Sequence, residues 1–135
     1  MTSRAESLQQ VELFRELSQR QLRKLADKFR ERSFQPGTAI VEQGTMSGIG
    51  FFVVTDGEAS VSVDGREAAR LRPGDHFGEL GLIAERERTA TVTAETQLHC
   101  LEIASWDFRE FVQGDPDVAW KLLRHVVSTL LDERG

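Results

Sequence analysis

In the stretch FGELGLIAERERTATV, from Phe77 to Val92, a glycine, an acid directly after it and an arginine followed by small residues could do chemistry together. Gly78 lets a backbone come close to a ligand because it carries no side chain. Residues Glu79 to Ile83 are long enough for a single helical turn. The N–H groups at the start of such a turn point at an anion, and the peptide dipoles favour negative charge there. Arg88 adds a forked, permanently charged donor that suits a phosphate. Thr89 and Ala90 supply further N–H groups and one hydroxyl, and the small residue at 90 leaves room for a ligand.

Glu79 narrows this anion site. Against a phosphate, its carboxylate would be repelled by about 4 kcal/mol at contact distance in a partly screened site. An ionised carboxylate only accepts hydrogen bonds, so it asks for a donor, and a sugar hydroxyl is the natural one. Phosphate and ribose hydroxyl in adjacent subsites are then the reading of the stretch as a whole, a logic known from dinucleotide folds. Taken singly, the residues say less. An acid in a first helical turn ordinarily compensates the dipole, and an arginine near Glu85 and Glu87 ordinarily makes a surface ion pair.

These residues need a scaffold, and the chain has room for one. Its 135 residues suffice for one domain with one core. An apolar content of 39% and a charged content of 29% fit a globular protein. The net charge of −5 argues against a nucleic-acid surface. The longest apolar run, FFVV, is far too short to span a bilayer, and MTSRAESLQQ carries no signal-like apolar region. A single cysteine, Cys100, excludes an internal disulfide. Cytoplasmic localisation, without membrane contact, is the expectation.

The elements read as helices, then a β-barrel, then helices, within one domain over residues 1–135. Apolar residues three and four apart predict a short helix, a turn and a longer helix over about 8–30, the second capped by Ser18. Over about 33–103 the period changes. TAIVE, GFFVVTDG, EASVSVDG, TATVTA and QLHCLEI are short, rich in β-branched residues and punctuated by Gly, Pro and Asp. This predicts an antiparallel sandwich or barrel. Asp64-Gly65 is a two-residue hairpin signal, and RPGD, Arg72 to Asp75, a further turn. Over about 105–132, Ser105 is placed to cap one helix that Gly114 ends, and Asp115-Pro116 opens another. That last helix carries a wide apolar face from Val118 to Leu131, which either packs on the barrel or meets a partner helix or ligand.

FGELGLIAERERTATVTA resembles the phosphate-binding cassette of cyclic nucleotide-binding domains, found in bacterial catabolite activators, cyclic-nucleotide-dependent kinases and cyclic-nucleotide-gated channels. Phe77, Gly78, Glu79, Gly81, Leu82, Arg88, Thr89, Ala90, Val92 and Ala94 meet its pattern. LFRELSQRQLRKLA, IVEQGTMSGIGFFVVTDGEASV and FVQGDPDVAWKLLRHVV are similar to further parts of the family, so roughly Leu8 to Leu131 is covered. The resemblance implies a mainly β fold with flanking α: an antiparallel jelly-roll-like barrel, the double-stranded β-helix of the cyclic nucleotide-binding type, with N-terminal helices and a C-terminal helix pair. It implies that Glu79 binds the ribose 2′-hydroxyl and Arg88 the exocyclic phosphate oxygens. Amides of Gly78, Leu80 and Ala90 would complete the phosphate shell, with Phe77 and Ala90 in the pocket wall; Gly81 belongs to the same cassette.

By that resemblance the chain is a sensory module for cAMP or cGMP, with cAMP favoured, and the ligand repositions the C-terminal helices. A threonine at position 89 can serve a syn guanine and also occurs in cAMP-responsive members. The expected partners are a cyclic nucleotide and an effector, either a separate protein or a fused domain, with the C-terminal helix as a candidate homodimer surface. Three departures stand out. The segment from Gly44 to Gly57 is one residue longer than the commonest spacing. The last helix ends soon after Leu131, with no helix-turn-helix after it, so DNA binding by this chain is not expected. No base-capping residue can be assigned.

Other function classes find less support. A cupin-like metalloenzyme needs converging histidines, but His76, His99 and His125 lie in unrelated segments without a His-x-His pair, so neither metal nor other cofactor is expected. No nucleophile–base pair suggests catalysis. A ligand-free structural or dimerisation module remains the alternative. Cys100 is expected to pack in a core. Trp106 and Trp120 are expected to anchor the terminal helices on the barrel.

Overall fold

Each N-terminal helix starts where a serine hydroxyl meets an amide that has no intrahelical partner. Ser3 accepts from the Glu6 amide at the start of α1, Arg4–Gln9. Ser18 accepts from the Gln21 amide while the Gln21 side chain accepts from the Ser18 amide. This reciprocal capping box opens α2, Gln19–Ala26. Between them Glu12–Phe14 forms a 3-10 turn. The expected helices are therefore present with altered limits: the first begins at Arg4 rather than near Leu8, and the second stops at Ala26.

The computed structural model describes residues 3–45, 50–78, 82 and 88–134. Their contacts divide into two compact units, Met1–Lys28 with Asp107–Gly135, and Phe29–Trp106. The second unit carries the strands among its described residues: β1 Arg30–Phe34, β2 Ala39–Val41, β3 Gly50–Asp56, β4 Ala59–Val63, β5 Arg66–Leu71, β6 His76–Phe77, β7 Thr91–Ala94 and β8 Leu98–Ala104. Among the described residues they form two four-stranded antiparallel sheets, ordered β1-β8-β3-β6 and β2-β7-β4-β5. Val41, Phe52, Val54, Ala59, Phe77, Val92, Ala94, Leu98 and Cys100 come from both sheets to make one buried core.

The turn chemistry follows the residues. Asp64 at φ 54° and Gly65 at φ 81° close the β4–β5 hairpin, where the twist of the strands favours left-handed residues. The Gln43 side chain braces this turn, donating to the Asp64 carboxylate and accepting from the Asp64 amide, each at 2.8 Å. In RPGD, the Asp75 amide donates to the Arg72 carbonyl, and Gly74 takes φ 97°. β1 differs from the expectation, which placed the first strand residue near Ser33. Its sequence, RERSF, is largely exposed at a sheet edge, so no apolar alternation marks it.

β8 runs straight into a helix. α3, Ser105–Gln113, has Ser105 as its first helical residue, one place later than the cap expected there. The Asp115 carboxylate accepts from the Asp117 amide, and Pro116 takes the first position of α4, Pro116–Arg134. Val118 and Leu122 are buried in α4, but Leu123, Val126, Val127, Leu130 and Leu131 are exposed. The apolar face is thus covered only at its N-terminal end. Trp106 and Trp120 are 64% and 59% exposed, so neither serves as the anchor expected of it. Phe14, Phe108 and Phe111 supply ring contacts within the helical unit instead.

Candidate functional site

Arg88 is held by its backbone before its side chain is considered. Val41 pairs with Val92 where β2 meets β7. The contact continues past the strand ends. The Gln43 amide donates to the Thr91 hydroxyl at 2.9 Å, the Gly44 amide to the Arg88 carbonyl at 2.8 Å, and the Arg88 amide to the Thr45 carbonyl at 2.9 Å. The chain leading into β7 is therefore anchored at the residue that carries the charge.

The guanidinium then reaches a second strand. Arg88 Nη2 donates to the Gly50 carbonyl, at the first residue of β3, across 3.2 Å. Burial lowers the Arg88 pKa, because partial removal from water disfavours the charged form. An anion at the guanidinium would offset that cost.

Gly78 meets the same point. Its φ of 92° lies in the left-handed region. A Cβ there would sit 2.5 Å from the Gly50 carbonyl oxygen and 3.2 Å from Arg88 Nη1. The glycine is therefore required by the arginine and the carbonyl beside it, a reason that the sequence reading, based on ligand approach, did not supply. Phe77, directly before it, is buried and stacks on Phe52 with ring centroids 4.8 Å apart. Its place in β6 is set by pairing with Phe52 on β3.

Of the expected site residues, Gly78 and Arg88 come together at Gly50, while Phe77, directly before Gly78, is part of the buried core. Thr89 is exposed and Ala90 half-buried just ahead of β7. Glu79, Leu80 and Gly81 lie outside the described residues. Leu82 is buried. Gly50, Gly44, Thr45 and Thr91 were missed by sequence reasoning. Gly50 was visible there as a glycine opening an otherwise apolar strand, Gly44 as the start of the lengthened segment and Thr91 as a residue of the strand TATVTA.

The histidines do not converge. His99 pairs through Nδ1 with the Ser33 hydroxyl at 2.9 Å, His76 packs on Phe51, and His125 lies in α4. Among the described residues no group of three or more His, Cys, Asp or Glu is placed to hold a metal.

The family model of the cyclic nucleotide-binding domain matches residues 31–115, which include the whole stretch from Phe77 to Ala90. The chain belongs to this family. This cyclic nucleotide-binding domain is 35% identical over 107 residues to a cAMP-dependent protein kinase regulatory subunit of Yarrowia lipolytica, covering 78% of this chain and 28% of that protein. It is 35% identical over 96 residues to a cGMP-dependent protein kinase of Toxoplasma gondii, covering 71% of this chain and 10% of that one. The domain thus spans only a small part of the curated relatives it matches. The crystal structure of the N-terminal domain of a transcriptional regulator from Streptomyces coelicolor A3(2) is similar over 94% of both chains, with 32% identity and a TM-score of 0.84. Among the described residues no helix is long and apolar enough to cross a membrane.

Proposed function

We propose that this domain binds a 3′,5′-cyclic nucleotide, cAMP in preference to cGMP, as a regulatory module without catalytic activity of its own. The observation that carries this reading is the meeting of Arg88 and Gly78 at the Gly50 carbonyl, inside the matched family region. Arg88 takes the exocyclic phosphate oxygens as a forked donor. The amides of Gly78, Leu80 and Ala90 complete the phosphate shell, Glu79 accepts from the ribose 2′-hydroxyl, and Phe77 and Ala90 line the wall. The exposed Thr89 hydroxyl is available to a guanine amino group, which keeps cGMP as the second ligand.

The regulatory output is a change in the helices from Ser105 onward, read by a partner protein or a fused effector. The direct passage from β8 into α3 supports this, since Ala104 and Ser105 are consecutive and no loop absorbs a movement of the strand. Calorimetric titration with cAMP and with cGMP tests the binding claim. Saturable heat, weaker for cGMP, is expected; no heat with either nucleotide up to millimolar concentration would sink it.

A second reading, a dimerisation module that keeps the fold without a ligand, is favoured by the exposed Leu123, Val126, Val127, Leu130 and Leu131 of α4. Arg88→Ala separates the two readings. The sensor loses nucleotide affinity with its fold intact, while the scaffold has no nucleotide affinity to lose.

A further inference from the structure

The Gly50 carbonyl is where β3, Gly78 and Arg88 meet. A Cβ on Gly50 would lie 2.9 Å from the Ile103 carbonyl oxygen, closer than real contacts allow. The start of β3 is therefore pressed against the end of β8. In that register Gly50 faces Ala104, the last residue of β8, and Ser105 follows as the first residue of α3. The route from guanidinium to helix start is short: Arg88 Nη2 to the Gly50 carbonyl, Gly50 across the ladder to Ala104, Ala104 to Ser105. All of it lies within the Phe29–Trp106 unit.

We propose that Gly50 is the positioning residue of this site: its carbonyl holds the Arg88 guanidinium, and its close pairing with the end of β8 hands any shift of that guanidinium to the start of α3. The hand-off rests on the nucleotide-binding reading above; the seating of Arg88 does not. A phosphate arriving at Arg88 competes for the donor that Gly50 engages. Strengthening or releasing that bond moves the carbonyl, and β8 cannot stay behind because the glycine leaves no slack against Ile103. Coupling of this kind needs a measured interaction between the two positions and not proximity alone.

The test is a double-mutant cycle on the full chain in a Trp120→Phe background. Trp106, the second residue of α3 and 64% exposed, is then the sole tryptophan of the two in the chain. Gly50→Ala, Arg88→Ala and the double variant are compared for cAMP affinity and for the Trp106 emission change at saturation. Gly50→Ala is expected to weaken binding about fivefold or more when Arg88 is present and less than about twofold when it is not. The emission change on saturation is expected to be lost in Gly50→Ala. Equal losses of affinity in both backgrounds, or an unaltered emission change, overturn the proposal.

A second measurement needs neither a ligand nor a change at position 50. With glycine carbonyls labelled with carbon-13, the Gly50 resonance is expected to move upfield in Arg88→Ala while those of the distant turns at Gly37 and Gly65 stay in place. An unmoved Gly50 resonance overturns the seating even if Gly50→Ala fails to fold. If the unmodified chain binds neither cAMP nor cGMP, the proposed function and the hand-off fall together. The carbonyl resonance then still decides whether Gly50 seats Arg88.

Discussion

The side-chain amide of Gln21, in α2, donates to the carboxylate of Asp117, in the first turn of α4, across 2.9 Å. The same amide reaches Asp115 at 3.2 Å, and the Gln21 side-chain oxygen accepts from the Ser18 amide and from Lys121 Nζ. One buried carboxamide thus caps its own helix and ties it to the start of another. Its partners cannot all be replaced by water at a site only 8% exposed.

Gln21→Ala is accordingly expected to destabilise the protein by about 1–2 kcal/mol. Urea unfolding measures this, and an unchanged midpoint would show that the hub contributes nothing. Asp117 gives a second readout. Its pKa lies below the usual carboxylate value of 3.8, first through the Gln21 hydrogen bond and then through Lys121. A carboxylate depressed in the folded state stabilises above its unfolded pKa and loses that contribution as pH falls. In Gln21→Ala the Asp117 midpoint should rise toward its ordinary value, as followed by the carboxyl carbon-13 shift.

If Glu79 accepts from a ribose hydroxyl, the 2′-deoxy analogue of cAMP leaves that carboxylate without its donor. Its binding is expected to be weaker by roughly tenfold to a hundredfold. Glu79→Ala should bind both nucleotides about equally. Discrimination that survives in Glu79→Ala would assign the hydroxyl to another residue.

Two turn glycines separate strain from crowding. Gly57 and Gly65 have φ of 90° and 81°, so alanine is disfavoured at both by backbone conformation. A Cβ on Gly65 meets nothing within 4 Å, whereas one on Gly57 would run into the Gln97 carbonyl and come within 2.9 Å of the Thr96 hydroxyl. Gly65→Ala is expected to cost about 1 kcal/mol, and Gly57→Ala roughly 3 kcal/mol, near the upper end of ordinary point substitutions. Equal thermal shifts would show that the Gly57 turn relaxes.

Burial pushes the Cys100 thiol up from 9.0 to about 12, with the nearby Glu102 charge adding to it and Arg32 opposing. A raised acid pKa means that the folded state keeps a proton which the unfolded state releases. The stabilisation is complete below pH 9.0 and is lost progressively as pH rises toward 12. In that window the protein should lose up to ~1.4 kcal/mol per pH unit more than Cys100→Ala does. Alkylation of Cys100 should likewise proceed only through unfolding, at a rate set by the unfolded population and the thiolate fraction of the exposed thiol.

Much of this architecture was legible in the residues. Ser18 and Asp115-Pro116 announced helix starts because a cap needs only the side chain and the backbone next to it. Asp64-Gly65 announced a hairpin because left-handed dihedrals are a local demand. The alternation in TATVTA placed β7, since one face of it meets a core, and the apolar residues of QLHCLEI placed β8, which is buried on both faces. Harder to see were β1, a largely exposed edge strand whose one apolar residue is Phe34, and the two-residue β6, which owes its existence to Phe52 and Val53 opposite it. The exposed Trp106 and Trp120 ran against expectation, because size and apolarity do not say whether a surface is offered to cover them.

For this protein the sequence by itself determined the order of helices and strands, the turns, and the types and spacing of residues at the candidate site. Those features depend on dihedral preferences, caps and side-chain period, all of which act within a few residues. Only the tertiary structure decided that Arg88 rests on the Gly50 carbonyl, and that Gly78 is glycine because both of them fill the space beside it. The three positions are brought to one point by pairings of β3 with β6 and β8 and of the Gly44–Thr45 backbone with Arg88. No local preference encodes a contact whose partners are supplied by separate strands, so the reason for each of these residues appears only once the strands are paired.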